Sequence, residues 1–367
     1  MTTTPAPEKI PVIFDMETQD PDDYLTLLLL IGHPGVDLRA VTITPGSAYQ
    51  VGLVRATLAR FGLDLPVGAN NIEHPKTCVS SWHEDAYHKI HPSQDAEPGG
   101  ELLHRMCSGE VTLITGAPLK NLGDAMTRPG FELGRLVAQG GFAGEGVVPA
   151  EKQLPKFKGM VTCPTFNLNG APRAALEALQ HPGIGERFFV SKNVCHGVVY
   201  TEAFHRELGA VKEGREHLEQ IWRGMEYYLA KKRARAGVHV ELSQAVRDDQ
   251  QVRLVASKGF DAGIYAAGEL REFARDHTED IFLATIHEGH ELPVCKLVTR
   301  KVAHYGKKLH DPLAACCAIE RSIGVWAEVE MFRKRGGWGS RLASDTNTFI
   351  ITDYDPELFF EVFSRSL

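Results

Sequence analysis

Short apolar runs alternate with amphipathic stretches along the first third of the chain. Pro11 to Phe14, Val36 to Ile43, Leu65 to Gly68 and Val111 to Thr115 are brief, β-branched and bounded by Gly, Pro or Asp, the pattern of buried strands. Between the second and third runs, Val51, Val54, Leu58 and Phe61 recur at helical spacing on one face. Strand, helix, strand repetition predicts an open α/β fold, with a mainly parallel central sheet flanked by helices and ligands beyond the carboxyl ends of the strands. That rule points to the residues just after Phe14, Ile43 and Thr115.

The middle of the chain is less regular. Leu218, Ile221, Trp222, Met225 and Leu229 form an apolar stripe that predicts a core-facing helix. Residues from about 236 to 302 show no clear period and read as an inserted, helical cap. Order returns after Asp311: a helix through Ala314 to Ile319, an edge hairpin near Trp326 to Arg341, a strand Thr348 to Thr352 and a closing helix Pro356 to Phe363. The organisation predicted is a tail over residues 1–10 and one domain over 11–367 interrupted by the cap. There is no internal repeat.

Composition narrows the class. With 43% hydrophobic and 24% charged residues, the chain has enough apolar material for a large core. A formal net charge of -7 gives no electrostatic reason to expect nucleic acid or an anionic membrane as a partner. The basic cluster Lys231, Lys232, Arg233 and Arg235 reads as a solvated helix terminus. Seven cysteines without a CxxC pair suggest reduced thiols. No apolar segment resembles a secretory signal, and Leu25 to Ile31 is too short to span a bilayer, so a cytoplasmic location is expected.

The chemistry concentrates in IFDMETQDPDDYLTLLLL, Ile13 to Leu30. Asp15, Glu17, Asp20, Asp22 and Asp23 are five carboxylates within nine residues, directly after a strand and before an apolar helix. Like charges so close raise one another's pKa and are unfavourable unless a cation neutralises them. Oxygen ligands alone favour Ca2+, with Mg2+ as the alternative, over zinc. The competing reading is an acidic helix start in which Asp22 or Asp23 serves only as a cap.

This stretch resembles the N-terminal signature of the inosine-uridine nucleoside hydrolase family, Asp-x-Asp-x-x-x-Asp-Asp before an apolar helix. The match places Asp15 and Glu17 on the first two acids and Asp22 and Asp23 on the last two, with one inserted residue and one Asp to Glu change. Further landmarks follow in order: Thr44 to Ser47, Gly116 to Asn121 (GAPLKN, similar to Gly-Pro-Leu-Thr-Asn), Gln139 to Gly141, Phe166 with Asn167, and His310 with Asp311. WAEVEMFRKRGGWG resembles the family's late strand pair. The combination is similar to a divergent branch that includes nucleoside-hydrolase-like type III effectors of plant-pathogenic bacteria.

The resemblance implies roles residue by residue. Glu17, Asp23, the carbonyl of Lys120 and Asp311 would hold the metal, with Asp15 and Asp22 in the same acidic set. Asp22 would also bind the ribose hydroxyls, and Asn167 would be a second sugar contact. Glu17, or Asp20 in its stead, would activate water, and His310 or a polar residue of the cap would assist the leaving base. Tyr228 lies on a helix that in the family borders the base, or else packs in the core, while Trp82 or Tyr87, read from the residues around them, would stack on a base at the rim, with a solvated loop as the other reading. The implied activity is hydrolysis of the N-glycosidic bond of a riboside by a homodimer or homotetramer. Cleavage of such a bond passes through an oxocarbenium-like sugar, so negative charge beneath the ring fits the chemistry.

Two departures qualify this picture. Glu17 is longer than Asp, and a displacement of 1 Å costs about 10²-fold in rate. Ser47 and Thr165 stand where the family has Asn and Glu near the 5′ side, leaving room for a 5′-substituted ligand such as a nucleotide or ADP-ribose. A binding protein that has lost turnover is therefore the alternative. Asp15, Met16, Glu17 and Thr18 also loosely resemble the Asp-x-Asp-x-Thr loop of haloacid-dehalogenase phosphatases, but Glu17 and the Asp22–Asp23 pair argue against that class. His74, His83, His88 and His91 fit no zinc spacing, and His287 to His290 is one residue short of a zincin motif.

Overall fold

A computed structural model describes residues 9–87, 89–244, 249, 251–256, 263–266, 268, 283–286 and 306–365. The chain divides into two units, residues 1–224 with 307–367, and residues 225–306. His88 and the segment His287 to His290 lie outside the described residues.

In the first unit the apolar runs become parallel strands. β1 (Ile10–Met16), β2 (Val36–Ile43), β3 (Val67–Ala69), β4 (Glu97–Pro98), β5 (Thr112–Thr115), β6 (Leu133–Gln139) and β7 (Ile184–Val190) follow in chain order. A short β8 (Val199–Tyr200) closes this series. Helices connect them: α1 (Pro21–Gly32), α2 (Ala48–Arg60), α3 (Ser81–Ala86), α4 (Gly99–Met106), α5 (Lys120–Met126), α6 (Phe166–Gly170), α7 (Pro172–Gln180) and α8 (Lys192–Cys195). α9 (Glu202–Val211) and the long α10 (Glu216–Gln244) follow.

In the second unit α10 continues through residue 236 without a break, where the sequence suggested that an insertion begins. Three strands are also described in it. β9 (Gln251–Ala256) pairs antiparallel with both β10 (Gly263–Ala266) and β11 (Leu283–Ile286). Gly268 is also helical, and most of the segment expected to form a helical cap lies outside the described residues. Val252, Leu254 and Ile264 had been too few to show a period of two.

The first unit resumes with β12 (Lys307–Lys308), α11 (His310–Ile319), β13 (Gly324–Lys334), β14 (Gly337–Leu342), β15 (Thr348–Tyr354) and α12 (Pro356–Ser364). Ten strands form one sheet in the order β14-β13-β15-β7-β6-β5-β1-β2-β3-β4. It is parallel from β15 to β4, with the antiparallel β13–β14 hairpin at one edge. Arg335 and Gly336, both with positive φ, make the two-residue turn that such a hairpin favours.

β1 sits between β2 and β5. α1 is buried along most of its length, Leu25 and Leu27 to Leu30 all within 1% exposure, which explains why its sequence is apolar all round. α11 packs against α1, β5 and β6 and is also almost wholly buried. The loops after β1, β5, β6 and β7, and the start of α11, therefore converge at the carboxyl end of the sheet. Among the described residues no helix is long and apolar enough to cross a membrane.

Candidate active site

The acidic stretch divides between strand and loop. Asp15 is still within β1, and the parallel register sets it opposite Thr42 on β2 and Thr115 on β5. Both hydroxyls donate to its carboxylate, at 2.7 and 3.2 Å, and Asn121 Nδ2 donates at 2.8 Å. Burial pushes Asp15 up to about 6, while these three donors pull the other way. Its lone pairs are taken up inside the sheet, and it does not line the pocket beyond the strands. The expectation of Asp15 as a metal ligand is corrected: it ties β1 to β2, β5 and the start of α5.

The acids after β1 face a cavity of about 600 Å³, lined in part by Glu17, Asp20, Asp22, Asp23 and Asp311. Oxygens of Asp22, Asp23 and Asp311 lie within 4.8 Å of one another. Asp20 sits at the N-cap position of α1 without a side-chain cap, and Pro21 follows. Asp22 and Asp23 do not cap α1 either. Asp23 Oδ1 accepts the backbone N–H of Glu17 at 2.9 Å, and Asp22 Oδ2 accepts the N–H groups of His310 and Asp311 at 3.0 and 3.4 Å. Asp22 thus fastens the start of α11 to the start of α1.

A buried lysine enters this cluster. Lys307 Nζ lies 2.9 Å from Asp22 Oδ1 and 2.9 Å from Asp20 Oδ1, and donates to the Lys308 carbonyl at 2.8 Å. Although burial opposes its charge, Asp22 and Asp20 hold it protonated, above the usual lysine range. Burial would raise Asp22 too, but Lys307, His310 and the backbone donors bring it below its ordinary value.

One ammonium does not neutralise five carboxylates. Burial together with neighbouring acids holds Asp23 and Asp311 well above the carboxylate range, and pushes Glu17 up to about 8. Asp311 Oδ1 is buried without a hydrogen-bond partner. Gly116 makes the cradle: a Cβ there would stand 2.6 Å from Asp311 Cγ. An all-oxygen donor set with an orphaned carboxylate oxygen fits a hard divalent cation.

Lys192, His196 and His310 also line the pocket. Cys195 Sγ is 3.1 Å from His310 Nδ1 and accepts from Gln139 Nε2 at 3.4 Å. Burial pushes the thiol up to about 12 and His310 down to about 4. At neutral pH the thiol gives its hydrogen to Nδ1 of a neutral ring, which leaves the imidazole proton on Nε2. Asn167 Nδ2 donates to the carbonyls of Gly116 and Gln139 and to Gln139 Oε1, joining the loops after β5 and β6.

The family model for inosine-uridine preferring nucleoside hydrolases matches residues 12–361 of this chain. The chain belongs to that family. A solved purine-preferring ribonucleoside hydrolase from Gardnerella vaginalis has a TM-score of 0.57 at 13% identity, with 96% of each chain covered. A nucleoside hydrolase from Bacillus anthracis, described as inosine-uridine preferring, has 0.54 at 14%, covering 97% of this chain and 98% of that one. An uncharacterized protein of Aquifex aeolicus (strain VF5) is 27% identical over 235 residues, 62% of this chain and 78% of its own length. The likeness to the effector branch rests on the sequence motifs.

This nucleoside-hydrolase pocket gathers most of the residues singled out in the sequence. Glu17, Asp20, Asp22, Asp23, Thr165, Asn167, His310 and Asp311 all line it. Others are placed elsewhere. Ser47 caps α2, accepting from Gln50 N, and donates to the Thr77 carbonyl at 2.6 Å, and it does not line the pocket. Trp82 is buried against Tyr24, His83 and Tyr87, with its indole N–H on the Gly224 carbonyl at 3.0 Å; this corrects its assignment to the base. Lys120 heads α5 with its side chain exposed, and from that segment it is Gly116 that lines the pocket. Tyr228 lies on the part of α10 in the second unit, half-buried.

Asn121, Lys192, Cys195, His196 and Lys307 escaped the reading of the sequence. Asn121 stood inside a quoted motif without a role. Lys307 and Lys308 carried the opposite signal, since adjacent lysines after an irregular segment read as solvated. Pairing of β12 with β8 turns Lys307 inward opposite Tyr200.

Proposed function

We propose that this protein hydrolyses the N-glycosidic bond of a ribonucleoside, releasing base and ribose, with calcium held by Glu17, Asp23 and Asp311 and with Asp22 beside them. The observation that carries the reading is the buried Asp22, Asp23 and Asp311 trio, with Asp311 Oδ1 unpartnered, at the carboxyl end of β1 and β5. Held by these residues, the ion would supply positive charge for orienting a sugar and lowering the pKa of water.

The chain's own residues then divide the work. Glu17, deprotonated beside the cation, accepts a proton from the attacking water. The carboxylates beneath the sugar favour positive charge developing at C1′. Asn167 has spent its Nδ2 hydrogens on Gly116 and Gln139, which leaves Oδ1 to accept from a sugar hydroxyl. A neutral His310 offers a hydrogen bond to the departing base instead of the full proton of an imidazolium. Assembly as a dimer or tetramer, and a cytoplasmic setting, extend the same family reading.

One observation favours a second reading, binding without turnover. Lys307 engages Asp20 and Asp22, two of the acids the reaction would use. The test is chromatography of ribosides incubated with the protein, with calcium or with chelator, beside Asp311→Asn. Calcium-dependent release of base, reduced at least about 10²-fold in the variant, supports hydrolysis. Saturable binding of the same ribosides with no release in any condition selects the binding reading.

A further inference from the structure

The pocket is lined by basic as well as acidic residues, and Lys192 and His196 have no part in the hydrolysis of a free nucleoside proposed above. Both line the same cavity as the carboxylates. His196 is the meeting point of a lysine cluster: Lys156 Nζ lies 2.8 Å and Lys308 Nζ 3.4 Å from its Nδ1. Lys192 Nζ donates to the Pro164 carbonyl at 3.0 Å. Among the described residues neither Lys192 nor Lys308 has a carboxylate within ion-pair distance, whereas Lys307 beside them has two. With Nδ1 accepting from lysines, the proton of a neutral His196 sits on Nε2, a further donor. Thr165 also lines the cavity, and its hydroxyl is buried without a partner. Ammonium groups gathered around one ring, beside an unused hydroxyl donor, are the arrangement that recognises a phosphate.

We propose that the preferred substrate is a nucleoside 5′-monophosphate, whose phosphate is held by Lys192 and His196 with Lys308 behind them. The proposal rests on the hydrolase reading for its chemistry. A ribonucleoside has hydroxyls at O2′, O3′ and O5′. The carboxylates take the O2′ and O3′ diol, so O5′ is the oxygen left to carry an anion toward the lysines. A cavity of about 600 Å³ is within the range that encloses a ligand of this size. The reaction needs no further reactant: water adds its oxygen to C1′, the bond from C1′ to the base nitrogen breaks, and the water's proton ends on the base. The products are ribose 5-phosphate and free base.

The test compares adenosine, inosine, uridine and cytidine with their 5′-monophosphates, by steady-state kinetics and by calorimetry in calcium. The proteins are wild type, Lys192→Gln and Lys308→Gln, with inorganic phosphate as competitor. At least one monophosphate is expected to exceed its nucleoside about tenfold in kcat/KM and in affinity. Lys192→Gln should cut that ratio by about tenfold, the measure of one charge-assisted hydrogen bond, and Lys308→Gln by less. Phosphate should compete with the monophosphate. Equal or better use of every free nucleoside, or a ratio unmoved in both variants, overturns the proposal. If nothing is cleaved, the hydrolase reading fails by itself, and the calorimetric ratio decides the phosphate site on the same criteria.

Discussion

Lys307 Nζ lies 2.9 Å from Asp22 Oδ1, joining residues 285 apart in the sequence at the floor of the pocket. Both side chains are buried, at 6% and 2% exposure. The ammonium is therefore a fixed internal cation in a site that also fits a divalent one. It neutralises the Asp20 and Asp22 side of the cluster and leaves Asp23, Asp311 and Glu17 to the metal.

Replacing Lys307 by Met should expose that division. Removing one partner of a buried pair leaves an uncompensated charge and costs ~3–5 kcal/mol. Unfolding by urea in chelator should show a loss of that order for Lys307→Met, and calcium should restore more stability to the variant than to wild type. Equal stability of variant and wild type in chelator would show that the pair contributes nothing net.

The remaining acids predict a pH dependence with a definite sign. Glu17 is raised from an ordinary value of 4.5 to about 8, and Asp23 and Asp311 are raised well above theirs. In the metal-free protein these groups bind more protons folded than unfolded. The contribution of Glu17 is full below about pH 4 and is lost as pH rises to about 8, and those of Asp23 and Asp311 are lost in the same direction. Calcium needs the deprotonated oxygens, so its binding tightens over the same window. Asp22 and Lys307 keep their charges throughout it. The difference in Tm between calcium and chelator should therefore widen from pH 5 to pH 9, and a constant difference would contradict the assignment of these carboxylates to the metal.

Asn121 offers a test of the frame rather than of the chemistry. Its Nδ2 donates to Asp15, the Ile43 carbonyl and Thr44 Oγ1, so one amide holds the ends of β1 and β2 to the start of α5. A hydrogen bond to a charged acceptor contributes about 1.5–3 kcal/mol, and Asn121→Ala should lose that much in thermal or urea unfolding. Asn121→Leu, close in shape but unable to donate, should lose at least as much. A loss confined to Asn121→Leu would mean that crowding, not the missing donor, is responsible.

The sheet and the acidic pocket were legible in the sequence because each rests on local patterning. Buried parallel strands are short apolar runs, and acids packed after a strand announce a ligand site whatever surrounds them. Asp15 was misassigned for a tertiary reason: the register opposite Thr42 and Thr115, which no local pattern reveals, gives its carboxylate other partners. Trp82 failed similarly, since an aromatic among histidines looks like a binding wall until α10 is seen to cover it with the Gly224 carbonyl. The basic cluster was invisible because Lys192, His196 and Lys308 are separated in sequence and none belongs to a motif.

Cys195 and His310 carry the last prediction. The thiol hydrogen on Nδ1, at 3.1 Å, keeps the imidazole proton on Nε2. In Cys195→Ala that constraint is gone and both tautomers become available, so activity should fall with little change in calcium binding. Cys195→Ser restores a donor at the same position and should recover most of the loss, which a purely packing role for the sulfur would not do. His310→Gln keeps a side-chain amide able to donate, whereas His310→Ala keeps nothing, so the alanine variant should fall further, within the ~10²–10⁴-fold range for loss of leaving-group assistance. Equal activity in Cys195→Ala and Cys195→Ser, measured as kcat with riboside saturating, would remove the tautomer argument and leave Cys195 as core packing.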